Sequence, residues 1–588
     1  MSTVFRVFSY LRRYPLLGSL QIACAIFMTV LGIVFPHVIK VVTGEIIPLR
    51  QFDRLLPYTL LAAGAFLATN LFNSLRIILN NTFEQKVIFD IRSDLYRKIQ
   101  RLPMRWFDEK RTGDIMTRVT EDVTSMERVL IDGIEQGLIA SLQILVVGGY
   151  LVWLNPALAG VAFIPVPLLA LGAMLYTRHS PKRHRVVRQA TSEMNALLHD
   201  NIDGIAQVKA YTREAAEHGR FNSASDAVRR ATLRVMRLWA VYNPSMEFLR
   251  NVGYVLMVGI GGWWLMQGRL DQGVFLAFLF ALSLFYEPVG RLHQLNQIVQ
   301  AGRAAGERVF EIIDAEEEPD LDVGAPLPLP VKGHVVFENV GFSYTGRVST
   351  LRGVRLEALP GEMVALVGHT GAGKSTIINL LARFYEYDEG RITLDGVEIK
   401  DLRKSELRDT MGYVTQESFL FNGTVRENLL MAKEKATEEE LWQALEAANA
   451  RDFVERLPEQ LDTNVGERGV KLSVGEKQRI AIARVVLKSP PILLLDEATA
   501  SVDTQTEKLI QSALDRIMTH RTSFVIAHRL STVRNADRIY VLGHGKVLEH
   551  GHHEALLARD GHYAKLCRTS LIAEEEEADV SLQSVADA

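Results

Sequence analysis

The chain has 588 residues, 48% hydrophobic and 23% charged, with a formal net charge of −3. That length exceeds one ordinary domain, and the near-neutral balance gives no basis for nucleic-acid binding by the whole chain. Its two cysteines, Cys24 and Cys567, stand near opposite ends of the sequence and argue against both a disulfide framework and a cysteine-ligated metal centre.

After a basic opening (Arg6, Arg12, Arg13), residues 16–39 form an apolar run long enough to cross a bilayer, which takes about 20 helical residues. It lacks a small-residue cleavage site, so it reads as a retained helix and not a signal peptide. Five further spans are predicted at 55–79, 134–154, 157–176, 246–267 and 273–291, with Asn155-Pro156 turning the chain between the third and fourth. Basic residues crowd one set of connections: Lys86, Arg92, Arg97, Lys98, Arg101, Arg105, Lys110, Arg111 and Arg118 in one, then Lys182, Arg183, Arg185, Arg188, Lys209 and Arg213 in another. The opposite loops offer little beyond Arg50, Arg54 and Arg269. The positive-inside rule therefore predicts cytoplasmic termini for a multi-pass membrane protein.

The two basic connections run to roughly 55 and about 70 residues, against a usual 2–8. Both keep helical periodicity, as in Ile91, Leu95, Ile99 and Leu102, which predicts membrane helices that continue into the cytoplasm. Their turns are expected near Thr112-Gly113-Asp114 and between Ala206 and Glu217. Arg76, Glu247, Arg250, Glu287 and Arg291 fall in or near spans. Most sit towards cytoplasmic ends, where snorkelling or an i, i+4 pair such as Glu287–Arg291 suffices; Glu287 is the best cavity-lining candidate among them.

Composition changes at residues 316–330, an acidic and proline-rich linker (Glu316-Glu317-Glu318-Pro319, Pro326, Pro328, Pro330) that ends a transmembrane domain over 1–315. Beyond it, short apolar runs alternate with helical stretches, the pattern of an α/β domain over 331–570. An acidic tail at 571–588 reads as disordered. The expected fold is thus a six-helix all-α membrane bundle followed by an α/β P-loop domain.

Within that second domain, Gly368-His369-Thr370-Gly371-Ala372-Gly373-Lys374-Ser375-Thr376 lies between an apolar run (363–367) and a helical stretch (377–381). Strand, glycine-rich loop and helix form the context in which this motif cradles phosphates, with Lys374 reaching the β/γ-phosphates and Ser375 holding Mg²⁺. Ile492–Leu495 leads into Asp496, placed to hold Mg²⁺, and Glu497, placed to polarise a water. Ser473 and Gly475 open a helix and offer a hydroxyl, N–H groups and a dipole to an anion. His528 ends another strand, and Tyr344 suits either adenine stacking or core packing.

Together these residues resemble the nucleotide-binding domain of ABC transporters, over about 331–568. The resemblance aligns Lys374 with the Walker A lysine, Asp496 and Glu497 with Walker B and its catalytic glutamate, and Tyr344 with the adenine-stacking aromatic. It aligns Gln416 with the Q-loop, Ser501-Val502-Asp503 with the D-loop, His528 with the switch histidine and 472–476 with the signature. Gln416 is implied as a Mg²⁺ contact; Ser473, Gly475 and Asp503 as nucleotide contacts. The stretch from Phe107-Asp108 to Arg118, and Val208-Lys209-Ala210-Tyr211, resemble the coupling regions. Departures are Val474 for a glycine and Glu476 for a glutamine in the signature, and Asn464 where a cross-domain glutamate is usual. The resemblance implies an exporter-type half-transporter of the bacterial cytoplasmic membrane. It would act as a homodimer, use ATP and Mg²⁺, and move a lipid or amphipathic compound, with lipid flipping and multidrug efflux as the leading pair. Half of a heterodimeric or regulatory protein remains the alternative.

Overall fold

The computed structural model describes residues 6, 10, 12–128, 134–319, 323–346, 348–496, 504–527 and 530–568. The chain forms two compact units, Met1–Ile99 with Gly113–Ala315, and Gln100–Thr112 with Glu316–Ala588.

The first unit is helical. Its long helices are α1 (Pro15–Val41), α2 (Phe52–Gln100), α4 (Ile134–Leu154), α5 (Pro165–Asp203), α6 (Glu214–Leu256) and α7 (Gln272–Ile313); the short α3 (Met104–Asp108) lies in the stretch that joins the second unit. Among the described residues five helices are long and apolar enough to cross a membrane: Pro15–Ile46, Phe52–Gln100, Gln136–Leu154, Pro156–Asp203 and Gln272–Val289. The expected span at 246–267 is not among them. There α6 runs into a π-helical turn, Met257–Gly261, and then Gly262–Met266, with Glu247 and Arg250 lowering the hydropathy of the stretch. Helices run on into the two long connections as expected, since α2 and α5 continue far past their apolar portions.

Helix starts follow from local chemistry. Asn155 Oδ1 accepts from Leu158 N at 3.1 Å with Pro156 at the first helical position, so the chain reverses between α4 and the helix at Pro156–Phe163. Asp271 Oδ1 accepts from Gly273 N at 2.7 Å and caps α7. The unit's core joins Val147, Leu151, Leu158, Phe278, Leu282 and Tyr286, and the buried Tyr286 hydroxyl donates to Ala162 O at 2.6 Å. Elsewhere large apolar side chains such as Leu67, Leu71, Leu145 and Phe248 face outward, as a lipid-facing surface requires.

The second unit carries two sheets. One is antiparallel, in the order β2 (Leu351–Ala358), β1 (Val335–Phe342), β4 (Glu389–Leu394), β5 (Val397–Glu398). The other runs β10 (Lys546–Gly551), β9 (Arg538–Gly543), β3 (Met363–Val367), β8 (Thr522–Ile526), β7 (Ile492–Asp496), β6 (Met411–Val414), parallel apart from β10. Its central strands are buried on both faces and read as unbroken apolar runs, as Ile492–Leu495 does. The linker is tied down within this unit. Glu318 pairs with Lys404 at 3.2 Å and Arg408 at 2.5 Å, and Glu317 accepts from Arg101 Nε at 2.7 Å.

Candidate nucleotide site

Four strands of the parallel sheet end level with one another. Leu366 of β3 and Asp496 of β7 both register with Ile526 of β8, and Val414 of β6 registers with Leu495. The glycine-rich loop, Gln416 and Asp496 therefore lie at the carboxyl edge of one sheet, where α/β folds bind ligands.

The loop's backbone depends on glycine. Gly368 (φ +149°) and Gly373 (φ +103°) occupy a region that L side chains rarely adopt. A Cβ on Gly368 would lie 2.2 Å from Leu542 O, and one on Gly373 2.5 Å from Leu351 Cδ2. Helix α8 (Lys374–Leu381) begins directly after Gly373. The Lys374 side chain folds back across the loop, its Nζ donating to Gly368 O at 2.6 Å and to His369 O at 3.2 Å. His369, Thr370, Gly371 and Ser375 are exposed, while Ala372 and Thr376 are buried beneath them.

Tyr344 lies half-buried beside the loop, among other aromatic side chains. Its ring packs edge-on against Phe342 (4.8 Å) and Tyr385 (5.0 Å), and its hydroxyl lies 3.3 Å from Thr376 Oγ1 on the loop helix. Tyr385, which the sequence reading missed, donates to Asp108 of α3 at 2.5 Å, so one tyrosine touches both Tyr344 and α3. Burial first, then that bond, raises the Tyr385 phenol above its usual value. Tyr413 was missed too: burial, then the charges of Asp496 and Tyr344, push it up to about 12, which keeps a neutral phenol near Asp496. Its signal was its place one residue from the end of β6, three residues ahead of Gln416.

Ser375, the exposed Gln416 and the half-buried Asp496 offer a hydroxyl, an amide and a carboxylate oxygen. That all-oxygen set fits Mg²⁺, which takes one or two carboxylates plus substrate phosphates. Glu497, Asp503 and His528 lie outside the described residues.

Ser473 and Gly475 stand on a different element, at the start of α9 (Val474–Lys488). Ser473 caps this helix in a reciprocal box with Glu476: Ser473 N and its hydroxyl donate to Glu476 Oε2 at 2.8 and 2.9 Å, and Glu476 N donates back at 3.3 Å. Gly475 is buried, whereas Val474 is 52% exposed, so this departure alters the outer surface of the motif more than the domain's own packing. Asn464 Oδ1 accepts from Gly466 N at 2.8 Å and shapes its own turn. In the helical unit, Glu287 is exposed and does not line the cavity of about 690 Å³ there; Arg76 does.

Family models and known proteins match this chain along most of its length. A family model described as the ABC transporter transmembrane region matches residues 19–289, and one described as ABC transporter matches 351–500. An ATP-dependent lipid A-core flippase from Syntrophus aciditrophicus (strain SB) is 39% identical over 490 residues, covering 83% of this chain and 81% of that protein. A fatty acid ABC transporter ATP-binding/permease protein from Mycobacterium tuberculosis (strain CDC 1551 / Oshkosh) is 37% identical, covering 90% and 83%. Among solved structures, a bacterial Atm1-family ABC exporter with ATP bound aligns with a TM-score of 0.80 at 31% identity, covering 93% of this chain and 98% of that one.

Proposed function

The chain belongs to the ABC transporter family as a half-transporter of the exporter type, and on that premise we propose that two copies assemble to drive a lipid or amphipathic compound across a bacterial cytoplasmic membrane, with both termini on the cytoplasmic side. It is a multi-pass membrane protein that binds nucleotide and couples ATP hydrolysis to transport. The dimeric reading is supported by the placement of the two motifs on different elements of one chain. The phosphate loop follows β3, while Ser473 and Gly475 head α9; in this reading each site is completed by the signature of the other copy.

In this mechanism Lys374 exchanges its two carbonyl contacts for phosphate oxygens, and the loop's N–H groups and the α8 N-terminus take up the remaining charge. Tyr344 stacks on the adenine. Glu497 positions the attacking water, His528 and Gln416 contact the γ-phosphate side, and Asp503 lines the interface. Ser375, Gln416 and Asp496 would hold Mg²⁺, which would neutralise phosphate charge. ATP drives the membrane half only through its higher affinity for the closed pair. Tyr385 and Asp108 support a route from Tyr344 to the first coupling segment. The names of the flippase and fatty-acid relatives support a lipid cargo over a drug.

Steady-state ATPase of the reconstituted protein tests the reading. Glu497→Gln abolishes turnover while ATP still binds; undiminished turnover in that variant refutes the assignment. In proteoliposomes, stimulation by lipids supports the cargo class, and stimulation by hydrophobic drugs alone overturns it.

A further inference from the structure

Residues 415–423 join β6 to the helix Val425–Leu430 and carry Gln416 near their start. The stretch has no regular structure of its own, so its backbone groups must find partners elsewhere. Three neighbours fix its path. Asn428, only 2% exposed, donates from Nδ2 to Phe421 O and accepts from Phe421 N on Oδ1, both at 2.9 Å. Leu420 is fully buried, and a Cβ on Gly469, in the turn just ahead of Ser473, would lie 3.0 Å from its Cδ1. Arg484 of α9 donates from Nη1 to Phe419 O at 2.8 Å, from Nε to Asn428 O at 2.7 Å, and from Nη2 to Asn428 Oδ1.

The chemistry of that third holder is unusual. None of its three acceptors is a carboxylate, and burial pushes the guanidinium down to about 10, which still leaves it charged at neutral pH. Burying a cation against neutral oxygens costs free energy that an apolar side chain would avoid. Arginine offers a rigid fork in return: two of its nitrogens match the two Asn428 oxygens while the third reaches Phe419. A leucine would fill the space and leave those oxygens unbonded.

The attachment to the signature element is made at two separated points. Arg484 lies three turns beyond Ser473, about 16 Å along α9 and on the same side of it. Gly469 lies at the other end, ahead of Ser473. A helix held at both places against 419–421 can neither slide nor pivot on that stretch, so Gln416 and Ser473 share one frame.

We infer that Arg484 is a positioning residue for ATP hydrolysis: it locks the stretch that carries Gln416 to the signature helix, and so fixes how far the amide at one site stands from the Ser473 offered to the other copy. The inference rests on the export reading and adds to it the residue that sets this spacing within one chain. Arg484 touches neither nucleotide nor metal, so its effect falls on the rate of hydrolysis. ATP capture depends on the loop at 368–376 and on Tyr344.

The test compares Arg484→Lys, Arg484→Gln and, as a control, Arg426→Gln in the full-length protein in nanodiscs. Arg426 sits on the helix Val425–Leu430 and pairs with Asp462 and Glu438, so its loss loosens that helix without releasing Phe419. In Arg484→Gln, kcat should fall roughly tenfold or more with KM for ATP within about twofold of wild type, the sign of an interaction that serves the step and not capture. Arg426→Gln should keep both. Arg484→Lys retains the cation and loses the fork, so part of kcat should return near pH 7; this variant carries the test if the neutral one fails to fold. A buried lysine sheds its proton far more readily than a guanidinium, so that recovery, relative to wild type at each pH, should vanish between about pH 7 and about pH 9.5. Amide exchange over 417–423, read without nucleotide, should quicken roughly tenfold in Arg484→Gln and stay unchanged over 363–381. A kcat close to wild type in Arg484→Gln, a rise in KM matching the loss of kcat, an equal loss in Arg426→Gln, or unaltered exchange overturns the proposal. A pH profile in Arg484→Lys parallel to wild type overturns the role given to the charge. Exchange needs no turnover, so the clamp stands or fails apart from the export reading, which Glu497→Gln decides.

Discussion

Glu476→Gln separates two roles of one side chain. The carboxylate accepts from Ser473 N and from the Ser473 hydroxyl, at 2.8 and 2.9 Å, and so fixes the first turn of α9. Glutamine keeps a carbonyl oxygen and with it the capping box. What disappears is a negative charge at a helix N-terminus, worth about 0.3–1 kcal/mol to the fold. That same charge opposes an incoming triphosphate. A phosphate oxygen bonded to the Ser473 hydroxyl would sit roughly 5 Å from the carboxylate, and at effective dielectric constants of about 20–80 the repulsion is about 1–3 kcal/mol. The electrostatic gain therefore exceeds the capping loss. Glu476→Gln is expected to lower the KM for ATP roughly tenfold, since about 1.4 kcal/mol is a factor of ten, with only a small fall in Tm. Steady-state hydrolysis in nanodiscs across an ATP titration measures this, and the gap between variant and wild type should narrow as salt screens the charge. An unchanged KM accompanied by a Tm lower by several degrees would refute the reasoning, because the carboxylate would then serve the helix alone.

Two further outcomes follow from the second unit. Burial pushes the Glu318 carboxyl up, but its hydrogen bond and charge contact with Arg408, joined by Lys404, outweigh this and hold it below its ordinary value. A depressed folded-state pKa gives stability that is full above the unfolded value, about 4.3, and is lost as pH falls through the lower folded value. Glu318→Gln should cost about 3 kcal/mol, the low end for a broken buried pair, because Lys404 keeps Glu386 at 2.7 Å. Urea denaturation followed from pH 7 down to pH 3 checks both the loss and the flattened acid limb; an unaltered limb would contradict it. Gly368→Ala would drive a Cβ onto Leu542 O, a backbone atom of β9 that cannot rotate away, so ATP affinity should fall at least tenfold in a nucleotide-binding assay. Wild-type affinity in that variant would show that the loop relaxes freely.

The α/β class of the second unit was legible because its strands are short apolar runs set between helical periods, and the stretch at 363–381 does fold as strand, loop and helix. Contacts between distant positions were not. Residues 100–112 were expected with the membrane half, yet they pack into the second unit. No residue of α3 is buried, and the bond that anchors it joins Tyr385 to Asp108 across 277 residues of sequence. Periodicity compares near neighbours and carries no trace of such a pair.

The membrane cavity shows a different kind of gap, because its signal was present and was weighed one residue at a time. Arg76 and Glu287 were compared by how near each lies to a span's end, a test that treats a helix as a line. A helix is a surface, and the informative feature is the company a charge keeps at i±3 and i±4. Around Arg76 those offsets hold the asparagines Asn73 and Asn80 along with Phe72 and Leu79, whereas around Glu287 they hold Ser283, Leu284, Gly290 and Arg291. The same lesson applies to Glu476. Read against a family signature it is a departure; read as Ser473-x-x-Glu476 it is a helix-start motif written in four residues. In both places the side chain's immediate helical neighbours say more about its role than its identity does.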